Sequence, residues 1–323
     1  MNKFLLRAGI TAAVLTALLF LVNLIYVNTD YYRNLNGMDK YSNVPEHLDI
    51  VSFGASHSQA SYLWGILPEG INAFSMALGG QSLMQDAAWL DYYSDRIDED
   101  TIVIIDVMFN SLYGGESVDD SKYYQILPAK YICGWNIEDA IRYAYVPILG
   151  NRQDGIEAIE MSLFGRKEKE GDHFGETVKK ATESVKSEVP TDVIEGWTLD
   201  EMLTEGKRRA SVKMEESPYV QSGPQYEALE HMLEVCTDKK CRVIVTTTPT
   251  TPYFYDGFDK EYLERFYTDL TGLCDKYNVE YVDYTGDERF ISDYRMWLDT
   301  DHLNGIGGEY FTKIFIEENN ILR

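Results

Sequence analysis

The sequence predicts an α/β protein with a doubly wound parallel sheet, preceded by one N-terminal transmembrane helix. Two observations support this fold class. From residue 47 onwards, short apolar runs alternate with segments of helical periodicity, a pattern typical of parallel sheets covered by helices. Residues 8–27 carry no charge, and twenty helical residues extend for about 30 Å, the thickness of the hydrocarbon core of a bilayer.

The first half of the predicted sheet lies within residues 47–112. Apolar runs at 48–53 and 71–75 predict two short strands, and the β-branched run at 101–107 predicts a third. Ser82 is placed to cap a helix that runs to about Ile97. These residues therefore supply three strands and a helix between them.

The sheet resumes after residue 222. Apolar residues at helical spacing predict helices around 226–236 and 263–273, and strands are expected at 243–247 and 279–283. A closing helix is expected after Gly307 and Gly308.

Residues 113–222 separate the two halves and predict a mostly helical insertion over the site, with residues 165–172 as a solvated loop. Its tyrosines could line a sugar-binding groove or simply pack the insertion onto the core; they are Tyr123, Tyr124, Tyr131, Tyr143 and Tyr145. The predicted organisation is a cytoplasmic tail (1–7), a transmembrane helix (8–27), a linker (28–46) and one α/β domain (47–323).

The charges that flank the apolar segment predict its orientation. Lys3 and Arg7 precede it and Asp30 follows it, so the positive side should remain in the cytoplasm and the domain should be extracellular. A cleaved signal peptide is the alternative, but no small-x-small cleavage site ends the segment. Asn23 within the span is expected to be tolerated near its outer end.

Composition indicates a folded, exported domain. The 323 residues are 45% hydrophobic, enough for a folded core, and carry a formal net charge of -24. This negative charge disfavours nucleic acid and anionic lipid as partners. The four cysteines form no pair of C-x-x-C motifs, so neither a metal site nor a cofactor is predicted. Cys236 and Cys241 could form a disulfide or remain free thiols.

Two short stretches carry the candidate chemistry: residues 54–58 (GASHS) and residues 299–304 (DTDHLN). Ser56 follows a predicted strand, where a parallel sheet presents its ligand-binding edge. We predict Ser56 as a nucleophile, His302 as its base and Asp299 as the carboxylate that orients His302. His57 is expected to orient the serine loop. Asp301 could be a second carboxylate of the site or a turn residue that caps the last helix.

With residues 77–82 and 107–111, these blocks form a series of Ser, Gly, Asn and His that resembles the SGNH (GDSL-like) hydrolase superfamily. The resemblance covers roughly residues 47–112 and 240–318. It implies that Ser56 is the nucleophile, that Gly80, or its neighbour Gly79, donates a backbone N–H to an oxyanion, and that Asn110 donates a side-chain amide. The aspartate usual before the serine is Ala55 here, which argues against a close relation to secreted lipases.

The predicted activity is acyl transfer through a covalent acyl-enzyme. The anchor and the exported domain resemble the membrane-bound SGNH proteins that work beside a multispanning O-acyltransferase, such as teichoic-acid D-alanylation and alginate O-acetylation proteins. That resemblance implies O-acylation, notably acetylation, of an extracellular cell-envelope polysaccharide, with such a membrane enzyme as partner. The alternatives are an esterase acting on carbohydrate or lipid esters and a catalytically silent scaffold of a polysaccharide-modifying machine.

Overall fold

The computed structural model describes residues 2–33, 40–114, 123–164 and 190–322. The chain packs into two units. The N-terminal unit comprises Met1–Val44 and Asp119–His173, and the sheet unit comprises Pro45–Val118 and Phe174–Arg323. The division into domains made from the sequence stays a prediction, and the predicted loop at 165–172 lies outside the described residues.

Strands and helices are numbered in chain order. The strands are β1 (Ile50–Phe53), β2 (Ala73–Ser75), β3 (Ile102–Asp106), β4 (Arg242–Thr247) and β5 (Glu280–Asp283). The helices are α1 (Asn2–Tyr26), α2 (Asp30–Arg33), α3 (Ser56–Ser61), α4 (Leu83–Tyr92), α5 (Ile137–Asp139), α6 (Arg152–Phe164), α7 (Leu199–Glu216), α8 (Pro224–Lys239), α9 (Pro252–Tyr255), α10 (Lys260–Tyr277), α11 (Glu288–Ile291) and α12 (Gly305–Glu318). Single 3₁₀ turns lie at Trp64–Ile66, Ser94–Arg96, Tyr123–Gln125, Ala129–Tyr131, Pro147–Leu149 and Tyr294–Met296, and a π-helical turn lies at Ala140–Tyr145.

Within the described residues, the strands form one parallel five-stranded sheet in the order β2-β1-β3-β4-β5. Ile50 pairs with Ala73 on one side and with Ile102 on the other. This order is a common doubly wound arrangement, in which ligands bind at the carboxyl ends of the strands where the strand order reverses. Here that point lies at β1 and β3. The predicted α/β class with a parallel sheet is confirmed, and each predicted strand is present.

The two faces of the sheet are both buried. Ile50, Ile104 and Ile244 pack in one apolar cluster with Phe311 and Phe315 of α12. Neighbouring side chains of a strand point to opposite faces, so the alternate residues of the same strands lie against the other face, where α4 packs on α8 and α8 contacts β4. Those residues are also fully buried; they include Val51, Val103, Ile105 and Val245.

Two helix limits differ from the prediction. The helix capped by Ser82 ends at Tyr92 rather than near Ile97, because Tyr93 leaves helical geometry and a 3₁₀ turn follows. The last helix begins at Gly305, so Gly307 and Gly308 lie inside it. A Cβ atom at Gly308 would lie 2.1 Å from the carbonyl oxygen of Ala60, so the glycine is needed for the close approach of α12 to α3.

In the N-terminal unit, α1 contains the apolar segment Lys3–Tyr26, which is long and apolar enough to cross a membrane. A signal sequence shares this property. Asn23 is buried, and its Oδ1 accepts a hydrogen bond of 3.2 Å from the backbone N–H of Ile148. Asn23 therefore has a hydrogen-bond partner in its own chain, which the sequence did not predict.

Tyr26 at the end of α1 is fully buried and packs with Val146, Ile148 and Ala158. The described part of the predicted insertion that precedes residue 165 therefore packs on α1. Tyr123 and Tyr124 are buried, as expected for packing residues, whereas Tyr145 is exposed.

Candidate active site

Ser56 lies at the carboxyl end of β1 because the chain turns sharply at Gly54. Gly54 has a φ of +138°, and a Cβ atom there would lie 2.8 Å from the Cβ of Ser58 and 3.1 Å from the carbonyl oxygen of Asp106. Glycine alone fits both the conformation and the space. Ser56 is then the first residue of α3, directly beyond the edge of the sheet.

A buried polar network holds this turn in place. The backbone N–H of Gly54 donates to Asp86 Oδ1 at 3.0 Å, and the side-chain amide of Gln81 donates to the same oxygen and to the Gly54 carbonyl oxygen. Trp89 Nε1 donates to Gln81 Oε1 at 3.2 Å. The start of α4 thus supports the serine loop. The sequence did not predict this role for Gln81 or Asp86.

The second stretch folds into a tight turn before α12 that places His302 against Ser56. Asp299 Oδ1 accepts hydrogen bonds from the backbone N–H groups of Asp301 and His302, at 3.1 and 2.9 Å. His302 Nδ1 lies 3.0 and 3.1 Å from the two Asp299 oxygens, and His302 Nε2 lies 2.8 Å from Ser56 Oγ. A hydrogen-bonded chain therefore runs from Ser56 through His302 to Asp299, across 246 positions of sequence.

Gly80 and Asn110 lie on the loops that follow β2 and β3, the two neighbours of β1 in the sheet. Both loops open at the same edge as Ser56. Gly80 has a φ of +69° and open space where a Cβ would lie, and Gly79 also faces open space. Their roles as oxyanion donors stay predictions, supported by this placement.

Arg209 of α7 is a member of this cluster that sequence reasoning missed. Its Nη1 atom donates to Asp299 Oδ2 at 2.8 Å and to Asp301 Oδ1 at 2.5 Å. Its Nε atom donates to Glu205 at 3.0 Å. Arg209 lies in the segment predicted as an insertion, 90 positions before Asp299. The alternative in which Asp301 is a turn residue that caps α12 is wrong, because Asn304 caps that helix.

His57 of α3 packs against the ring of His302. The two imidazole rings stack with centroids 4.3 Å apart and planes 20° apart, and His57 Nε2 lies 3.3 Å from Asp301 Oδ2. Side-chain ligand atoms of His57, Asp301 and His302 fall within 4.8 Å of one another. A metal ion must lie near the plane of each imidazole that binds it, however, and two stacked, nearly parallel rings cannot meet this condition together. The Arg209 charge against Asp301 further disfavours a cation there.

The charges around His302 set its protonation. Burial alone would lower the pKa of His302, but the carboxylates of Asp301 and Asp299 outweigh burial and raise the pKa. Burial, and next the charge of His302, lower the pKa of His57, which favours its uncharged form. Burial would raise the pKa of Asp301, but His302, His57 and Arg209 together hold the pKa well below its ordinary value. The two carboxylates therefore stabilise the protonated form of His302, and the neighbouring positive charges stabilise the ionised form of Asp301.

Comparisons with known proteins add one family match. The family model described as "DltD protein" matches residues 200–307, about a third of the chain, which includes Arg209, Asp299 and His302 but not Ser56. No curated protein matches. Among solved structures, the chain is similar to a protein of Streptococcus pneumonia described as a candidate platelet activating factor, with 11% identity, a TM-score of 0.39, and coverage of 97% of this chain and 99% of the other.

Proposed function

We propose that this protein transfers acyl groups to a cell-envelope polymer through a covalent ester on Ser56. The observation that carries the proposal is the hydrogen-bonded chain from Ser56 Oγ through His302 to Asp299, at 2.8 and 3.0 Å. This geometry suits a serine nucleophile with a histidine base that a carboxylate orients. The fold assignment that accompanies the proposal is an SGNH-type α/β domain.

The proposed reaction has two halves. Ser56 Oγ attacks the carbonyl carbon of the acyl donor while its proton passes to His302 Nε2. The tetrahedral intermediate collapses, the leaving group takes that proton from His302, and the acyl group remains on Ser56 as an ester. The acceptor hydroxyl then attacks the ester and gives its proton to His302, which returns it to Ser56 Oγ. Backbone N–H of Gly80 and the Asn110 amide would stabilise the oxyanion in both halves.

Two features support a cell-envelope substrate. The apolar helix α1 is able to hold the domain at a membrane, and the match to the DltD family points to acyl or D-alanyl transfer on teichoic acid. A multispanning membrane acyltransferase is the partner that would supply the acyl group on the outer side. The net charge of -24 favours a neutral polymer over the polyanionic teichoic acid, so the acceptor requires a direct test.

The nucleophile is tested with a fluorophosphonate probe on the full-length protein in detergent. Wild-type protein should be labelled, and Ser56→Ala should lose all labelling. Ser211→Ala is the control, because Ser211 is an exposed serine of α7, and it should label fully. Folded wild-type protein that never labels would support the silent scaffold, and a fully labelled Ser56→Ala variant would remove Ser56 from the reaction.

The acceptor is tested by product analysis with an activated acetyl or D-alanyl ester as donor. Teichoic acid, neutral envelope glycans and water are offered as acceptors. Acylated polymer should increase at the expense of free acid as polymer is added. Free acid as the sole product with every polymer would establish an esterase and refute transfer.

A further inference from the structure

A second buried carboxylate, Asp301, lies beside His302 and outside the hydrogen-bonded chain from Ser56 to Asp299. Its side chain is 2% exposed. Asp301 Oδ2 lies 3.7 Å from His302 Nδ1 and 3.3 Å from His57 Nε2, and Oδ1 accepts the hydrogen bond from Arg209. A buried carboxylate is costly unless charged or polar partners compensate it, so these contacts need an explanation.

In the part of the chain that the structure describes, three elements bring charged or titratable groups against His302. Its own loop supplies Asp299 and Asp301, α3 supplies His57, and α7 supplies Arg209 through the two carboxylates. The next residues outward are Glu205, which pairs with both Arg208 and Arg209, and the exposed Arg208. Glu205 and Arg208 together add no net charge.

The charge of this cluster changes when His302 accepts a proton. Two carboxylates and one guanidinium give a net charge of −1 while His302 is neutral, and zero once His302 is protonated. Without Asp301, the Arg209 charge would cancel that of Asp299, and protonation would leave an uncompensated positive charge in a buried site. Such a charge is strongly disfavoured in a low-dielectric interior.

We infer that Asp301 is a positioning residue that stabilises the protonated state of His302, and that Arg209 holds Asp301 and Asp299 at the distances this requires. The inference rests on the proposed function in that His302 acts as the base. The His57 ring stacks on His302 and limits its rotation, and burial favours the uncharged form of His57. Asp301 touches no reacting atom in this scheme.

The test is the pKa of His302 itself, measured by ¹⁵N imidazole NMR on histidine-labelled full-length protein in detergent. The His302 signal is assigned from its loss in His302→Gln. Asp301→Asn should lower the pKa of His302 by about 1 to 2 units, since an opposite charge within ~4–6 Å typically shifts a pKa by that order. A purely structural role for Asp301 would not move the titration of folded protein.

Asp287→Asn is the matched control. Asp287 is also an arginine-paired carboxylate of the sheet unit, bound to Arg289 at the start of α11, and asparagine caps a helix about as well as aspartate. His302 should titrate in this variant as in the wild type. If Asp301→Asn does not fold, Arg209→Gln is compared with the double variant Arg209→Gln with Asp301→Asn, in which two neutral amides replace the ion pair. Both variants lack the Arg209 charge, so the pKa of His302 should be lower in the double variant than in Arg209→Gln.

The inference would be overturned by a His302 titration in folded Asp301→Asn that is indistinguishable from the wild type, or by one in the folded double variant that is indistinguishable from Arg209→Gln. The NMR readout needs no turnover, so this outcome is distinct from a failure of the proposed function. Protein that shows the shift but never labels at Ser56 would retain the positioning role and refute the acyl-enzyme. The pH at which labelling of active protein is half-maximal should fall in parallel with the NMR value.

Discussion

Replacing Gly308 by alanine should separate α3, which begins at Ser56, from α12, which follows the turn that holds His302. The new Cβ atom would lie 2.1 Å from the carbonyl oxygen of Ala60, whereas carbon–oxygen contacts in proteins begin at about 3.3 Å. The helices α12 and α3 must therefore move apart by roughly 1 Å. Thr312 bridges them at this point, since its Oγ1 donates to the Ser61 carbonyl oxygen at 2.8 Å.

The expected cost has two parts. Overpacking of this kind destabilises by about 1–3 kcal/mol, which corresponds to a fall of roughly 2–10 °C in the melting temperature of a domain of this size. A displacement of the order of 1 Å would also lengthen the 2.8 Å contact between Ser56 Oγ and His302 Nε2, and misplacement by that amount can reduce rates by about 10²-fold. We therefore expect fluorophosphonate labelling to slow by about tenfold or more.

The assay is the labelling rate and the melting temperature of the full-length variant, measured in the same detergent. Gly272→Ala is the control, because Gly272 lies in α10 and a Cβ there meets no atom within 4 Å. Alanine stabilises a helix interior by about 1 kcal/mol relative to glycine, so this variant should be at least as stable as the wild type and label at the same rate. Wild-type stability and labelling in Gly308→Ala would refute the argument that this contact sets the site geometry.

Further predictions concern single residues. Burial raises the pKa of Asp106 to about 8, above its ordinary value of about 3.9. The contribution of Asp106 to stability is therefore complete below about pH 4 and is lost as pH rises through about 8. Asp106→Asn should flatten the fall in unfolding free energy between pH 5 and pH 8, measured by urea titrations. Ser82→Ala removes the capping box formed with Gln85 and should cost about 1 kcal/mol in the same titrations. Asp299→Asn should slow labelling by up to about 10⁴-fold if the wrong His302 tautomer results; an unchanged rate would transfer the orienting role to Asp301.

The strands and the serine loop could be predicted because their signals are local. An apolar run followed by Gly54 predicts a strand that ends in a turn, and the structure has β1 and the positive φ there. The spacing of Asp299 and His302 is also local, since one turn of chain brings them into hydrogen-bond contact. Periodicity and turn chemistry act over a few residues, so a single sequence carries them in full.

The electrostatic setting of His302 could not be predicted in the same way. Arg209 lies on α7, whose many acidic and basic residues are typical of a solvent-exposed helix. The neighbouring residues do not indicate that its guanidinium contacts two carboxylates 90 and 92 positions later. Asp301 has the sequence context of a turn residue, yet it is buried against His57 and Arg209, and Asn304 caps α12 instead. The two short stretches at residues 54–58 and 299–304 thus identify which groups can exchange a proton. How readily His302 holds that proton depends on α7, whose contact with these stretches exists only after the chain has folded.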